Sequence, residues 1–301
     1  MASHRNRFRA ALAVASLAAM IGAPRATAQE TTSQRIIPTN NLVLSGYGTV
    51  GYALATQGEN QNAFTTSVSP VFLFQFLDIV LFEAEFEFEL TEGVTETGLE
   101  YAQIDLLLHD NVTFVGGKFL LPFGVFGERL HPTWINKFPT APPIYGHHVS
   151  GYGAEPILPI LSDVGVMLRG ASTPGQWHLG LSGYVTNGPA IEEILPGEVP
   201  EVELPASSGD NNTDKMLGGR LDIALPPWAE VNFSYFNGDY DEQNVLDLTG
   251  WNVAAEFRRA GLELRGEYVQ TRQEIETLTG FQSLRRHGYY AQLAYRWRAW
   301  E

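Results

Sequence analysis

Residues 79–90 read Ile-Val-Leu-Phe-Glu-Ala-Glu-Phe-Glu-Phe-Glu-Leu. The even positions Val80, Phe82, Ala84, Phe86, Phe88 and Leu90 are apolar, and the odd positions Glu83, Glu85, Glu87 and Glu89 are acidic. Successive side chains point to opposite faces of a strand, whereas a helix would scatter both sets around its axis. The stretch therefore predicts a β-strand with an aromatic apolar face and a ladder of carboxylates on the other.

The pattern recurs along the chain. It predicts twelve strands, at 42–55, 64–76, 79–90, 99–108, 112–120, 163–171, 176–186, 216–225, 229–237, 249–258, 262–272 and 286–298. In the fourth, Ala102, Ile104, Leu106 and Leu108 oppose Tyr101, Gln103 and Asp105. In the tenth, Trp251, Val253, Ala255 and Phe257 oppose Asn252, Glu256 and Arg258. Short connections follow the even-numbered strands, at 77–78, 109–111, 172–175, 226–228 and 259–261. Longer ones follow the odd-numbered strands, at 56–63, 91–98, 121–162, 187–215, 238–248 and 273–285.

A soluble sandwich would not enforce that alternation of loop length. A membrane barrel does, with short periplasmic turns, longer external loops and both chain ends on the periplasmic side. Closure also removes the sheet edges that hydrocarbon cannot satisfy. The expected fold is all-β: a transmembrane antiparallel up-and-down β-barrel of at least 12 strands. Aromatics near predicted strand ends (Tyr47, Tyr52, Trp177, Tyr184, Trp228, Trp251, Tyr268, Tyr289 and Trp297) suit a membrane interface, where the ring is buried and its polar tip is wet.

The N-terminus adds a compartment. Arg5, Arg7 and Arg9 precede a small and apolar run from Ala10 to Ile21, and Ala26-Thr27-Ala28 forms a cleavage site. This is the pattern of a secretory signal peptide over 1–28, cleaved near Ala28, and the run is too short for an ordinary membrane-spanning helix. A short segment at 29–41 then leads into a barrel over 42–301.

Charge narrows the partners. The formal net charge is −15, and the signal segment carries four Arg and no acid, so the remainder holds 15 basic against 34 acidic residues. Such a surface repels nucleic acid. The absence of cysteine excludes disulfides, thiolate nucleophiles and cysteine-ligated zinc. His131, His147 and His148 lack metal-ligand spacing, so neither a metal nor another cofactor is expected.

In a barrel the polar face of each strand turns inward. Glu83, Glu85, Glu87, Glu89 and Asp105 would then form an acidic wall. Lys118, Arg169, Arg220, Arg258, Arg265, Arg296 and Arg298 would supply basic groups on later strands. Opposed charges across a wet lumen set ion preference, although the same residues could simply keep the lumen hydrated. The connection 121–162 is long for a structureless loop, and either folds into the lumen as a constriction or packs on the rim.

Two blocks carry a family resemblance. Gly117-Lys118-Phe119-Leu120-Leu121-Pro122-Phe123-Gly124, continuing to Glu128-Arg129-Leu130-His131-Pro132 and Trp134-Ile135-Asn136-Lys137, resembles the strand-to-loop passage of Gram-negative outer-membrane porins of the phosphate-selective porin O/P type. Ser162-Asp163-Val164-Gly165-Val166 with Leu168-Arg169-Gly170, then Tyr184-Val185-Thr186-Asn187-Gly188-Pro189, is similar to a second block. The resemblance implies an outer-membrane channel for passive diffusion of small polar or ionic solutes, assembled as a homotrimer and in contact with outer-membrane lipid. Two features depart from it. The chain has few lysines and an acidic wall, which speaks against phosphate selectivity and for cations. It also stops at Trp300-Glu301 after twelve predicted strands where the family has some sixteen, so the barrel is either smaller or truncated.

Two other classes remain. One is a structural or adhesive barrel whose lumen is plugged by paired charges. The other is an outer-membrane lipid hydrolase: outer-membrane phospholipases resemble this chain in having twelve strands and use a His-x-Ser arrangement with Asn. His148-Val149-Ser150 has that spacing, but it lies in a predicted loop rather than on a lipid-facing strand and is followed by Gly151, not Asn. A serine nucleophile needs a base held by a third group, and none stands out, so no enzymatic activity is expected.

Overall fold

A computed structural model describes residues 41–53, 63–91, 94–130, 135, 142, 144–145, 157, 162–191, 202–203, 209–277 and 280–297. The signal segment, the stretch 29–40, most of 131–161 and Arg298 lie outside the described residues. Among the described residues, no helix is long and apolar enough to cross a membrane.

All twelve expected strands are present. They are β1 (Asn41–Ala53), β2 (Ala63–Phe76), β3 (Val80–Thr91), β4 (Val94–His109), β5 (Val112–Leu120), β6 (Ser162–Ser172) and β7 (His178–Thr186). After the short pair β8 (Ala190–Ile191) and β9 (Val202–Glu203) come β10 (Met216–Leu225), β11 (Ala229–Asp239), β12 (Asp247–Arg259), β13 (Leu262–Thr277) and β14 (Gly280–Tyr295). Apart from β8 and β9, each pairs antiparallel with its neighbours in chain order, from β1 to β14, in one 12-stranded sheet. The fold is an all-β, up-and-down barrel wall. Among the described residues no β1–β14 pairing occurs, so these two are the end strands of the ladder series.

The turns at one end are tight. In the β12–β13 hairpin, Ala260 and Gly261 both have positive φ (52° and 84°), the conformation a two-residue turn needs to match strand twist. The opposite end departs from expectation in two places. Only 92–93 separates β3 from β4 and only 278–279 separates β13 from β14, where longer loops were expected. The ladders continue through Thr91↔Val94 and Thr277↔Gly280. There Thr95, Glu96, Thr97, Glu274 and Glu276 are polar on both faces, so the sequence loses its period while the backbone keeps its hydrogen bonds.

The outer face is apolar. Phe82, Phe86, Phe88, Ile104, Leu221, Ile223, Val231, Phe233, Val253, Phe257, Leu264 and Leu293 are all exposed, while Glu85, Gln103, Asp105, Arg220, Asp222, Asn232, Ser234, Asn252, Arg265 and Glu267 from the same strands are buried. Hydrocarbon is the solvent that fits such an inversion. Of the expected interface aromatics, Tyr47 and Tyr184 turn inward instead: Tyr47 bonds to Glu85 and Tyr184 is buried.

The lumen is not polar throughout, which corrects a simple inside-polar reading. Val115 and Phe119 of β5, Met167 of β6, Tyr184 of β7, Met216 of β10, Phe236 of β11, Leu248 of β12 and Val269 of β13 form one buried cluster with Leu121, Phe123, Val125, Phe126, Leu130, Ile144 and Tyr145. The chain after β5 folds inward and carries its own apolar side chains, each stabilised by about 1.5–3 kcal/mol when an apolar partner buries it.

Candidate functional site

The inward turn begins directly after β5. Gly124 has φ +66°, a left-handed conformation, and an added Cβ would run into the Tyr145 hydroxyl and the Glu267 carboxylate. A five-residue π-helical turn, Phe126–Leu130, follows. The segment is fastened in two ways. In the first, Glu267 of β13 accepts the backbone N–H groups of Val125 and Phe126 at 3.0 and 2.9 Å. It also accepts the hydroxyls of Tyr145 and of Tyr290 (2.8 Å) and the Asn252 amide at 3.2 Å. Burial and the adjacent Glu267 charge push the Tyr145 hydroxyl pKa well above its ordinary value, so Tyr145 stays a donor.

The second fastening is ionic. Arg220 of β10, 1 % exposed, donates to Asp222 at 3.0 Å and to the Gly124 carbonyl at 3.1 Å, and pairs with Glu128 at 2.5 Å. Arg129 pairs with Asp222 at 3.0 Å and with Glu230. Arg169 of β6 reaches Glu128 at 3.3 Å. Burial alone would raise the Glu128 pKa, but Arg220, Arg169 and Arg129 outweigh it and hold the carboxyl at about 2, down from 4.5. Three cations and three carboxylates thus close on one another where β6, β10 and β11 meet the segment.

The acidic wall stands apart from this network. Glu83, Glu85, Glu87 and Glu89 face inward on β3, with Phe82, Phe86 and Phe88 outward. Tyr47 donates to Glu85 at 2.6 Å, and Gln103 donates to Asp105 at 2.8 Å. None of the buried apolar cluster comes from β1 to β4. Arg169 lies between the two regions: it holds Glu128, and its charge also acts on Glu83 and Asp105.

The basic candidates are distributed differently from expectation. Lys118 is a correction. Its cross-strand partners are Ala102 and Val164, which share a face with the exposed Ile104 and Val166, so Lys118 lies on the outer face and donates to the Leu99 carbonyl. The alternation of β5 is inverted because Val115 and Phe119 turn inward to meet the folded segment. Arg220 and Arg265 are inward and paired, Arg265 with Glu256 at 2.9 Å and Glu263 at 2.7 Å. Arg258 joins the same two carboxylates, at 3.5 Å to Glu263. Arg296 follows β14 at the tight-turn end, its N–H bonded to the Gly261 carbonyl at 2.8 Å. Arg298, His131, His147, His148 and Ser150 lie outside the described residues. Among the described residues no group of His, Asp or Glu is arranged to hold a metal.

Glu128, Arg129, Tyr145 and the hub role of Glu267 were not among the expected site residues. The length of the 121–162 connection pointed to an inward fold or a rim packing, but not to these contacts. Arg272, Arg285 and Arg286 were hidden because their stretch reads as loop or strand end.

No protein family matches the chain, and no curated protein does. Among solved structures it is similar to OmpT, an outer membrane protein of Vibrio cholerae in trimer form, at 11% identity and a TM-score of 0.45, over 87% of this chain and 85% of that one. Salmonella typhi OmpF, solved in complex with daunomycin, matches at 13% identity and a TM-score of 0.43, over 86% and 87% of the two chains. A mutant of the Rh. blastica porin matches at 10% identity and a TM-score of 0.38, over 84% and 98%.

Proposed function

We propose that the protein is an outer-membrane channel for passive diffusion of small polar or ionic solutes, narrowed by the segment after β5 and favouring cations. One observation carries the reading: the inserted segment docks on β5–β13 and leaves the carboxylate face of β3 and β4 outside the packed cluster. On the opposite wall Arg220 and Arg265 are paired with Glu128, Asp222, Glu256 and Glu263, while the face left beside the passage carries Glu83, Glu85, Glu87, Glu89 and Asp105. Rings or walls of carboxylate favour cations. No catalytic step is assigned. Planar-bilayer recording of the full mature chain tests the proposal: conductance steps with a cation-favouring reversal potential are expected, and their absence removes the channel. Assembly as a homotrimer, which the sequence resemblance suggests, is tested by the mass of the folded protein in detergent.

A second reading has its own observation. The paired charges around Arg220 and Arg265 are what a plugged structural barrel would show. A folded, inserted protein with no conductance would favour it. Hydrolysis of a lipid ester that is lost on Ser150→Ala would favour the hydrolase instead.

A further inference from the structure

On the β13–β14 hairpin, Arg272 and Arg285 stand directly opposite each other. Thr271 and Gln273 are buried inward and Tyr290 turns inward to Glu267, so the alternation puts Arg272, Arg285, His287 and Tyr289 on the outer face. Beneath them runs an aromatic belt. Tyr268 lies opposite Tyr289, and its ring contacts Trp251 at 5.2 Å and His287 at 6.3 Å. Such belts sit where the membrane changes from hydrocarbon to headgroup. Arg272 is four residues beyond Tyr268, and Arg285 four from Tyr289. At about 3.3 Å per residue and a tilt of about 40°, both guanidinium groups stand about 10 Å above the belt, among headgroups.

Like charges directly opposite on one face destabilise a ladder unless an anion sits between them. Arg272 donates to Ser283 at 2.7 Å and to Glu274 at 3.1 Å, which fixes its fork and matches one positive charge while leaving further N–H groups for a ligand. Arg285 is exposed and has no hydrogen-bond or ion-pair partner among the described residues. Glu274 and Glu276 lie on the same face toward the turn, so the patch suits one phosphate held chiefly by Arg285 rather than a broad anionic surface. A bidentate arginine fork matches the geometry of a phosphate.

We propose that Arg272 and Arg285, with His287 below, form a docking site for the phosphate of a phosphorylated lipid in the external leaflet. The inference rests on the reading that the barrel spans the outer membrane with this hairpin external, and it does not depend on conductance. The test is native mass spectrometry of the full mature chain in detergent with phosphorylated lipid A, against dephosphorylated lipid A with the same acyl chains. About tenfold stronger retention of the phosphorylated lipid is expected, as for loss of one charge-assisted contact set. Arg272→Gln with Arg285→Gln should abolish the preference, and Arg259→Gln, exposed at the other end of the barrel, should keep it. Where the double variant does not fold, Arg285→Gln alone serves, since that side chain holds nothing internal. Equal retention of the two lipids, or an unchanged preference in the variants, overturns the site. Displacement of the lipid by millimolar inorganic phosphate also overturns it, in favour of a free-ion site. Conductance measured on the same preparation separates the two proposals: a silent barrel that still prefers the phosphorylated lipid loses the channel and keeps this site.

Discussion

The carboxylate of Glu267, on β13, accepts the backbone N–H of Phe126 at 2.9 Å, joining positions 141 residues apart. The same carboxylate takes donors from Val125, Tyr145, Asn252 and Tyr290. Glu267→Gln keeps the shape but turns one acceptor into a donor that faces other donors. A loss of about 1–3 kcal/mol is expected from the unsatisfied buried groups. The thermal midpoint of the detergent-folded barrel should fall, and single-channel current should become larger and noisier. An unchanged midpoint with unchanged current would show that the segment docks without this hub.

Gly124→Ala attacks the same docking from the backbone. The residue sits at φ +66°, and the new methyl would strike the Tyr145 hydroxyl and the Glu267 carboxylate. Strain of this kind costs on the order of 1–3 kcal/mol. The strands should form as before, since Gly124 belongs to none of them. Circular dichroism should therefore keep its β signature while conductance rises; loss of the β signature would show instead that docking is a condition of folding.

Acid should leave the ionic fastening intact further than usual. The arginines around Glu128 hold its pKa at about 2 against an ordinary 4.5. A depressed folded-state pKa contributes stability that is complete above the unfolded value and disappears as pH falls through the folded one. The midpoint difference between wild type and Glu128→Gln should thus be constant above about pH 4.5 and close toward pH 2. A difference that closes between pH 7 and 5 would mean that Glu128 is not held by these cations.

Much of this was legible in the chain, because the wall obeys a period-two rule and the rule is visible wherever lipid lies on one side and water on the other. The Glu83–Glu89 alternation and the opposition of Trp251, Val253 and Phe257 to Asn252 and Glu256 report that boundary directly. The rule fails where the boundary does. Beyond the membrane, at Thr95–Thr97 and Glu274–Glu276, both faces are wet and strand reads as loop. Inside, Val115 and Phe119 meet a folded segment rather than water, so β5 has no polar face and its pattern alone puts Lys118 on the wrong side. The Glu267 hub was illegible for a different reason: its donors come from positions up to 142 residues away, and no local pattern marks them.

Arg220 tests how far the buried ion network depends on completeness. Arg220→Gln leaves Asp222 and Glu128 facing each other without their shared cation, though Arg129 and Arg169 remain. Removing one partner from a buried pair costs about 3–5 kcal/mol, because the remaining charge is stranded. Arg220→Gln combined with Glu128→Gln and Asp222→Asn should recover most of that loss. If the triple variant is no more stable than the single one, the arginine matters through packing and not through charge.

The acidic wall and Lys118 make opposite predictions for selectivity. Glu83 and Glu85 face the interior, Glu85 under the Tyr47 hydroxyl, while Lys118 sits on the outer face against the Leu99 carbonyl. Only charges on the passage side alter the potential that a permeating ion crosses, since a charge on the outer face is separated from it by the wall. Glu83→Gln together with Glu85→Gln should move the reversal potential in a salt gradient toward anions, more at low ionic strength than at 1 M, where the screening length is about 3 Å. Lys118→Gln should leave it where it was. Equal shifts of opposite sign from the wall variant and from Lys118→Gln would place both in the passage and undo the assignment of β5; no shift from the wall variant would make the carboxylates a hydrating surface with no part in selection.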